Sequence, residues 1–294
     1  AVSALVGIGG GSMTVPLLVW RGVRPVRAVG TSSACGVAIA ISAAAGYALQ
    51  AAPTGLPASW HEAPADTPPL NSFWMGGIEG ADHLNSHGVP LDMTRACGHR
   101  AHLDEDFRQL AHWGLRTVRE SVGWRLCERD GQVDLTPALQ IAEAAQRHGV
   151  QVLWTLMHYG TPPDISLLDD RFPERFAQFA GQAAAALAPF SDTPPVYTPI
   201  NEISFLSWAL AETRMLHPYG PAAATGDSLA GSTLADGFSI KRRLVKAVLL
   251  AIDAIRAADP RARFLHVEPV VHVVPPADQP ELQPLADQVA SYQW

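Results

Sequence analysis

From residue 71 onward, short apolar runs alternate with stretches in which apolar residues recur with a helical period. This alternation predicts strand–helix units around a parallel sheet, because crossover helices cover the faces of parallel strands. The run at residues 150–157 is almost entirely apolar, which is typical of a strand buried on both faces. The predicted strands are residues 72–78, 115–122, 150–157, 196–200 and 263–267, and the predicted helices are residues 103–113, 137–148, 172–188 and 234–258.

The first 60 residues follow another pattern. Their only charges are three arginines, and no charged residue occurs between residues 28 and 60. A run of this length exceeds the roughly 20 residues that cross a bilayer core, which predicts a membrane-spanning helix. Its small residues are also compatible with a buried helix of a soluble domain, so that alternative stays open. Residues 1–20 are interrupted by three consecutive glycines and a proline, as in broken membrane helices that line a cavity.

These patterns divide the chain into a transmembrane segment (residues 1–52), a proline-rich linker (residues 53–70) and an α/β domain (residues 71–294). The three arginines of the first segment are expected on the cytoplasmic side by the positive-inside rule. We therefore expect the protein in the cell membrane, with the lipid bilayer as the partner of residues 1–52. The sequence begins without Met inside an apolar stretch, so we expect a fragment of a longer protein.

Composition excludes several classes of protein. With 48% hydrophobic and 17% charged residues, the chain is neither disordered nor collagen-like. A formal net charge of −7 argues against a nucleic-acid partner, because binding to phosphates needs a basic surface. The cysteines Cys35, Cys97 and Cys127 show no CxxC spacing, so we expect reduced, partly buried thiols.

No motif in the sequence calls for a cofactor or a metal. Residues 7–12 are glycine-rich, but they lack the third glycine of GxGxxG and the GKS/T ending of a phosphate loop. The pairs His83/His87 and His99/His102 have ligand-like spacings without an accompanying cysteine or carboxylate pattern. We therefore predict no cofactor and no metal ion.

The polar residues near the strand ends decide the kind of sheet. Five parallel strands fit either an open doubly wound sheet or the first part of an eight-stranded barrel. No phosphate-binding glycine loop follows the first strand, and barrel enzymes collect their chemistry where the strands end. We therefore predict an α/β fold, an incomplete (β/α)8 TIM barrel of about five strands preceded by an all-α transmembrane segment. The polar residues at the predicted strand ends are Glu79, Arg119, His158, Asn201, Glu202 and Glu268.

Asn201 and Glu202 directly follow the predicted strand at residues 196–200. Glycoside cleavage needs a proton donor at the leaving oxygen and a hydrogen-bond partner for the neighbouring hydroxyl, which a glutamate and an asparagine can supply. An isolated Asn-Glu pair is more often a helix cap. The interpretation therefore depends on the residues at the neighbouring strands.

Those neighbouring residues suit a carbohydrate site. Arg119 can hold a carboxylate in place, and Trp124 can offer an apolar face to a sugar ring. A salt bridge from Arg119 to the adjacent Glu120 or to a surface carboxylate is the structural alternative. His158 and Tyr159 end the third strand, where a single histidine is more often structural than catalytic.

These segments resemble motifs of clan A glycoside hydrolases, in particular the family 1 beta-glucosidases. In chain order, the similar segments are Glu79-Gly80 to an EG near the first strand, residues 119–124 (RESVGW) to RFSxxW, residues 158–162 (HYGTP) to HWxxP, and residues 198–202 (TPINE) to TxNEP. The resemblance covers residues 71–294 and implies a TIM barrel that hydrolyses beta-glycosides with retention.

The resemblance also implies roles for individual residues. Glu202 would be the general acid/base, and Arg119 would lie near the nucleophile. The residues that we assign on this basis to binding of the carbohydrate substrate are Asn201, His158, Arg119, Trp124, Glu79 and Tyr159.

The sequence departs from the family motifs at three points. Tyr159 replaces a Trp and Ile203 replaces a Pro, so substrate recognition is expected to differ. In the family, the nucleophile follows strand seven in an ETG-type motif, and the resemblance here ends after strand five. Glu268 is the candidate for a second carboxylate, because adjacent strands lie about 4.8 Å apart and a retaining pair about 5–5.5 Å apart.

The first segment resembles a different family. Residues 7–36 (GIGGGSMTVPLLVWRGVRPVRAVGTSSACG) are similar to the second-half repeat of TauE/SafE-type sulfite and sulfonate exporters. This resemblance covers residues 1–52 and lacks the other membrane helices of that family. It implies a membrane transporter.

The leading hypothesis is a glycosidase-like protein that hydrolyses O-glycosyl bonds, with little or no activity in this chain alone. The alternative is a multi-pass membrane transporter of the TauE/SafE type that carries the barrel as a passenger. A sugar-binding barrel without catalysis is the third hypothesis.

Overall fold

The computed structural model describes residues 70–85, 87–212, 216, 237–269 and 273–290. The strands in these residues are β1 (Met75–Gly77), β2 (Thr117–Ser121), β3 (Glu128–Arg129), β4 (Gln132–Val133), β5 (Gln151–Met157), β6 (Val196–Ile200) and β7 (Arg263–Phe264). The helices are α1 (Met93–Ala96), α2 (Leu103–His112), α3 (Trp124–Cys127), α4 (Thr136–His148), α5 (Phe172–Leu187), α6 (Ile203–Glu212), α7 (Gly237–Ala258) and α8 (Gln283–Ala290).

Five strands form one sheet in the order β1–β2–β5–β6–β7, and each neighbouring pair is parallel. In this register, Arg119 of β2 lies between Gly77 of β1 and Leu153 of β5. Because the strands all run the same way, their carboxyl ends lie along one edge, which we call the carboxyl edge. The predicted α/β fold with a parallel sheet of five strands is confirmed.

The hydrophobic core of the sheet unit contains residues of β5, β6 and α5. All residues of β5 and β6 are buried, as expected of central strands covered on both faces. Helix α5 carries Phe172, Phe176 and Phe179, which are buried and spaced to lie on one face of the helix. These three rings belong to the same apolar cluster as residues of β5 and β6.

Residues with positive φ mark two turns, of which the helix end at Gly149 was predicted from the sequence. Gly149 follows α4 with a φ of 63°, the left-handed conformation that commonly terminates a helix. Asp130 and Gly131 both have positive φ and join β3 to β4 as a two-residue hairpin turn.

Some elements differ from the prediction. Helix α6, which the sequence analysis does not predict, is buried on most sides, so its sequence has no polar face that would reveal a helical period. The short elements α3, β3 and β4 were also not predicted from the sequence, because a segment of four residues or fewer shows no detectable hydrophobic period. Strand β7 has two of the five predicted residues, although the Leu265 N–H extends its pairing by donating to the Tyr197 carbonyl at 2.9 Å.

Residues 68–268 form one compact unit, which contains the sheet. A second unit comprises residues 1–67 and 269–294, and its described part holds a 3-10 turn (Pro280–Leu282) and α8. The predicted transmembrane segment and the linker up to residue 69 lie outside the described residues. Among the helices that the structure describes, none combines the length and the apolar composition needed to cross a bilayer.

Candidate functional site

Side chains from three strands meet at the carboxyl edge of the sheet. Arg119 projects from the middle of β2 rather than from its end, whereas Asn201 and Glu202 follow β6 directly. Tyr159 is the second residue after β5. We call these four residues the polar network.

The polar network is a continuous series of hydrogen bonds. The Arg119 guanidinium donates through Nη2 to Asn201 Oδ1. Asn201 Nδ2 donates to the Tyr159 hydroxyl at 2.9 Å, and this hydroxyl donates to Glu202 Oε2 at 2.5 Å. Since an amide has one acceptor end and one donor end, the two contacts fix the orientation of Asn201. The network therefore holds a cation, an amide, a phenol and a carboxylate in one defined arrangement.

Arg119 is anchored on the sheet by Thr155, a buried residue of β5. The Arg119 Nε donates to Thr155 Oγ1 at 2.9 Å, and burial lowers the pKa of Arg119, opposed by the charge of Glu202. Thr155 was not predicted as a site residue, although a hydroxyl within an apolar strand is a usable signal. Successive residues of a strand point to opposite faces, so Glu120 lies on the other face and pairs with His99. This pairing replaces the alternative salt bridge between Arg119 and Glu120.

His158 lies beside the polar network and near the rim. Its Nδ1 is 3.8 Å from Glu79 Oε1, and burial lowers the pKa of His158 to about 4, against the effect of Glu79. At neutral pH the imidazole is therefore uncharged and can donate one hydrogen bond and accept another. Glu79 has 57% of its side chain exposed and accepts a hydrogen bond from the Ala81 N–H at 2.9 Å. It lies at the solvent-facing rim of the site.

The structure does not bring Trp124 to the carboxyl edge. Its side chain is fully buried, and its ring centroid lies 5.2–5.9 Å from those of Phe172, Phe176 and Phe179. Its Nε1 donates to Glu128 Oε2 at 2.5 Å. The expected contact between this indole and a sugar ring is therefore corrected to a packing role in the core, because no face of the ring is open.

The Glu268 side chain, which follows β7 in the chain, contacts the first turn of α6. Its two carboxylate oxygens accept the Ser204 N–H at 3.0 and 3.2 Å, and its Oε1 lies 3.2 Å from His266 Nε2. A carboxylate in this position stabilises the first turn of a helix.

Two members of the polar network have unusual backbone conformations. Tyr159 has a φ of 78° and Glu202 a φ of 48°, in the left-handed region that non-glycine residues rarely adopt. Glu202 is held there by its N–H, which donates to the Val267 carbonyl at 3.0 Å, and by its carbonyl, which accepts from Leu206 at 2.8 Å. Strained residues of this kind cluster at functional sites.

A buried pair supports the loops around the site. Arg125 donates to the carbonyls of Asp82 and Leu91, and the Asp82 N–H donates to the His158 carbonyl at 3.3 Å. Burial raises the pKa of Asp82 to about 8, and the nearby charge of Arg125 opposes this effect. These contacts tie the loop after β1 to α3 and to the loop after β5. This contact between Arg125 and Asp82 could not be predicted from the sequence, because the two residues lie 43 positions apart.

Metal coordination has no candidate centre in the part of the chain that the structure describes. There, no group of three or more His, Cys, Asp or Glu side chains is arranged to hold a metal ion. His99 instead contacts Asp106 and Glu120, and His102 Nδ1 lies 2.9 Å from the Gly98 carbonyl.

Comparisons with known proteins give separate results for the two parts of the chain. The family model described as Sulfite exporter TauE/SafE matches residues 1–70. No curated protein matches the chain. The first-segment resemblance inferred from sequence is thus confirmed by a family match.

Solved structures resemble the sheet unit. They include the AHE enzyme from Alicyclobacillus herbarius (17% identity, TM-score 0.55, 67% of this chain and 43% of that one). They also include the virulence factor SghA from Agrobacterium tumefaciens (15%, 0.54, 67% and 42%) and a beta-glucosidase from Thermotoga maritima in complex with castanospermine (16%, 0.51, 66% and 48%). The chain spans less than half the length of these structures. At these identities the likeness shows a glycosidase-like fold.

Proposed function

We propose that residues 71–268 form part of a glycosidase-like barrel whose carboxyl edge binds a beta-glycoside, with Glu202 as the general acid/base. The observation that carries this proposal is the hydrogen-bonded series from Arg119 through Asn201 and Tyr159 to Glu202. It joins a carboxylate, an amide and a cation at the edge of a parallel sheet where barrel enzymes bind their substrates. The fold likeness to a beta-glucosidase supports the same class.

Each residue of the site has a chemical task in this proposal. Glu202 gives a proton to the leaving glycosidic oxygen and later takes one from water. Asn201 hydrogen-bonds the hydroxyl next to the reacting carbon, and the uncharged His158 binds another sugar hydroxyl. Arg119 is fixed by Thr155 and Asn201. Its positive charge favours the ionised form of a carboxylate that acts as the nucleophile.

Retaining hydrolysis needs a second carboxyl group about 5–5.5 Å from the first. Among the described residues, Glu268 is the candidate that the sequence offers, and its carboxylate is engaged with the first turn of α6. We therefore propose that this chain binds a beta-glycoside but hydrolyses it slowly or not at all.

Replacing Glu202 with glutamine is expected to weaken the binding of castanospermine by about tenfold or more. The reason is that a hydrogen bond to a charged group contributes about 1.5–3 kcal/mol, and the amide removes the charge while keeping the shape. Isothermal titration of the full chain measures the effect.

The matched control for this substitution is Glu143→Gln, on the exposed face of α4, which is expected to leave the affinity unchanged. Equal affinities in the two variants would contradict the role of Glu202. Hydrolysis of 4-nitrophenyl beta-glucoside should be followed in parallel. Turnover that disappears in Glu202→Gln would support the site and refute the expected inactivity.

The family match at residues 1–70 favours a second function for the first segment. In this proposal the segment belongs to a membrane exporter of the TauE/SafE type, and the barrel is its passenger. The two functions concern different parts of the chain, so each can be tested without the other. The proposed location is the cell membrane.

The full chain is expected to stay with the membrane fraction after washing with high salt and with alkaline carbonate. Carbonate removes proteins held at a membrane surface, whereas a segment buried in the hydrocarbon core remains. Immunoblotting of pellet and supernatant measures the distribution, with a peripheral protein of the same membrane as the control. Release of the chain together with that protein would refute the spanning segment.

A further inference from the structure

The hydroxyl of Tyr159 lies between two groups that the proposed site would present to a ligand. It accepts a hydrogen bond from Asn201 Nδ2 at 2.9 Å and donates one to Glu202 Oε2 at 2.5 Å. A sugar hydroxyl has the same capacity to donate one hydrogen bond and accept others. A ligand hydroxyl in the position of the phenol would make the same two hydrogen bonds.

The surroundings of Tyr159 fix this position. Its ring lies 4.8 Å from that of His158, 5.8 Å from that of His83 and 5.6 Å from that of Phe205, measured between centroids. The left-handed backbone at Tyr159, with a φ of 78°, is unfavourable for a bulky residue. A side chain packed on three rings in a strained conformation is held there by its contacts, and loss of those contacts would favour its departure.

The phenol is a stable donor in this position. Burial raises the pKa of Tyr159, and the negative charge of Glu202 raises it further. At neutral pH the hydroxyl therefore keeps its proton and continues to donate to Glu202. A ligand has to compete with an intact pair of hydrogen bonds.

We propose that Tyr159 is a specificity-determining residue whose hydroxyl occupies the ligand position in the free protein and is displaced by a carbohydrate hydroxyl. This inference rests on the proposed function, because it assumes that the polar network binds a carbohydrate. Only a ligand hydroxyl that forms hydrogen bonds with both Asn201 and Glu202 replaces the two hydrogen bonds that the phenol loses. A deoxy compound leaves both groups unpaired and is rejected.

The test compares castanospermine binding by the full chain with Tyr159 intact and replaced by phenylalanine. Tyr159→Phe is expected to bind at least about 5- to 10-fold more tightly, because the two hydrogen bonds of the phenol no longer have to be broken. The matched control is Tyr197→Phe in β6. The Tyr197 ring is fully buried and its hydroxyl has no hydrogen-bond partner among the described residues, so the affinity should not change.

A second measurement follows the phenol directly in the wild-type chain. With 13C at Cζ of tyrosine, the Tyr159 resonance is the one that disappears in Tyr159→Phe. It is expected to shift when castanospermine saturates the protein, because the hydroxyl exchanges two protein partners for others. A resonance that stays in place at saturation overturns the inference, and this measurement does not depend on the affinity of the variant for castanospermine.

The outcomes separate the inference from the function beneath it. If the wild type binds castanospermine and Tyr159→Phe binds it no more tightly, the proposed displacement of the Tyr159 hydroxyl is wrong. The proposed carbohydrate site is then still supported. If neither protein binds, the proposed carbohydrate site fails and the inference fails with it. Binding by Tyr159→Phe alone would be the strongest support for both.

Discussion

Replacing Trp124 with alanine is expected to lower the free energy of unfolding by about 3–5 kcal/mol, the range found when a large aromatic side chain is removed from a core. The Trp124 side chain is fully buried, so the substitution leaves a cavity. The rings packed on it belong to the 16-residue helix α5, which limits how far they can collapse into the space.

Most of this loss comes from packing. The Trp124 ring contacts the rings of Phe172, Phe176 and Phe179, all on α5. The indole also donates to Glu128, but that carboxylate keeps a second partner, since Arg175 Nε donates to it at 2.7 Å. Glu128 therefore stays paired in the variant, and the cost reflects the lost apolar contacts.

Urea unfolding, followed by circular dichroism and extrapolated linearly to water, measures the effect. Trp113→Ala is the matched control, because the Trp113 side chain at the end of α2 is 75% exposed and should change stability by no more than about 0.5 kcal/mol. If the two alanine variants lost stability equally, the core position of Trp124 would be contradicted.

The sheet could be predicted from sequence because its strands are local features. Strands β5 and β6 are buried on both faces, so each is a short, largely apolar segment that can be recognised without its neighbours. The carboxyl edge follows from the same pattern, because parallel strands end on the same side. The positions of Asn201, Glu202 and His158 near this edge were therefore predictable.

The role of Trp124 could not be predicted in the same way. A tryptophan five positions after Arg119 can face a pocket or a core, and the deciding contacts come from phenylalanines 48 or more positions later. The spacing of those phenylalanines shows that they share a helix face, but it does not show which residue they cover. Long-range packing was the missing information.

The polar network was also only partly predictable. Sequence reasoning placed Arg119, Asn201 and Glu202 near one another, but it assigned Tyr159 to the ligand rather than to Glu202. The hydrogen bond between them depends on positive φ at both residues, which no pattern of side chains reveals. Whether these residues bind a carbohydrate remains the proposal tested by the titrations above.

Replacing His99 with alanine is expected to destabilise the protein by about 3–5 kcal/mol, because it leaves a buried carboxylate without its partner. His99 Nε2 lies 2.9 Å from Glu120 Oε1, and Nδ1 lies 2.7 Å from Asp106 Oδ2. The side chains of His99 and Glu120 are almost completely buried. Arg100, which lies next in sequence, also favours the ionised form of Glu120.

The size of this loss is expected to depend on pH. Burial alone would lower the pKa of His99, but the carboxylates of Glu120 and Asp106 outweigh burial and raise it. A histidine with a raised pKa stabilises the fold fully below its unfolded value of about 6.5, and this contribution is lost as the pH rises through the folded value. Burial also raises the pKa of Glu120, so the stability of the wild type falls further as the pH rises.

Urea unfolding of wild type and His99→Ala at pH 6 and at pH 8.5 tests this expectation, and the destabilisation should be larger at pH 6. His112→Ala, an exposed position on α2, is the control and should cost no more than about 0.5 kcal/mol at either pH. Glu120→Gln keeps the shape but not the charge, so it should weaken the pH dependence, because the imidazolium loses one of its two carboxylates. An equal cost of His99→Ala at both pH values would mean that the protonated imidazole is not the stabilising form, and that packing alone makes His99 important.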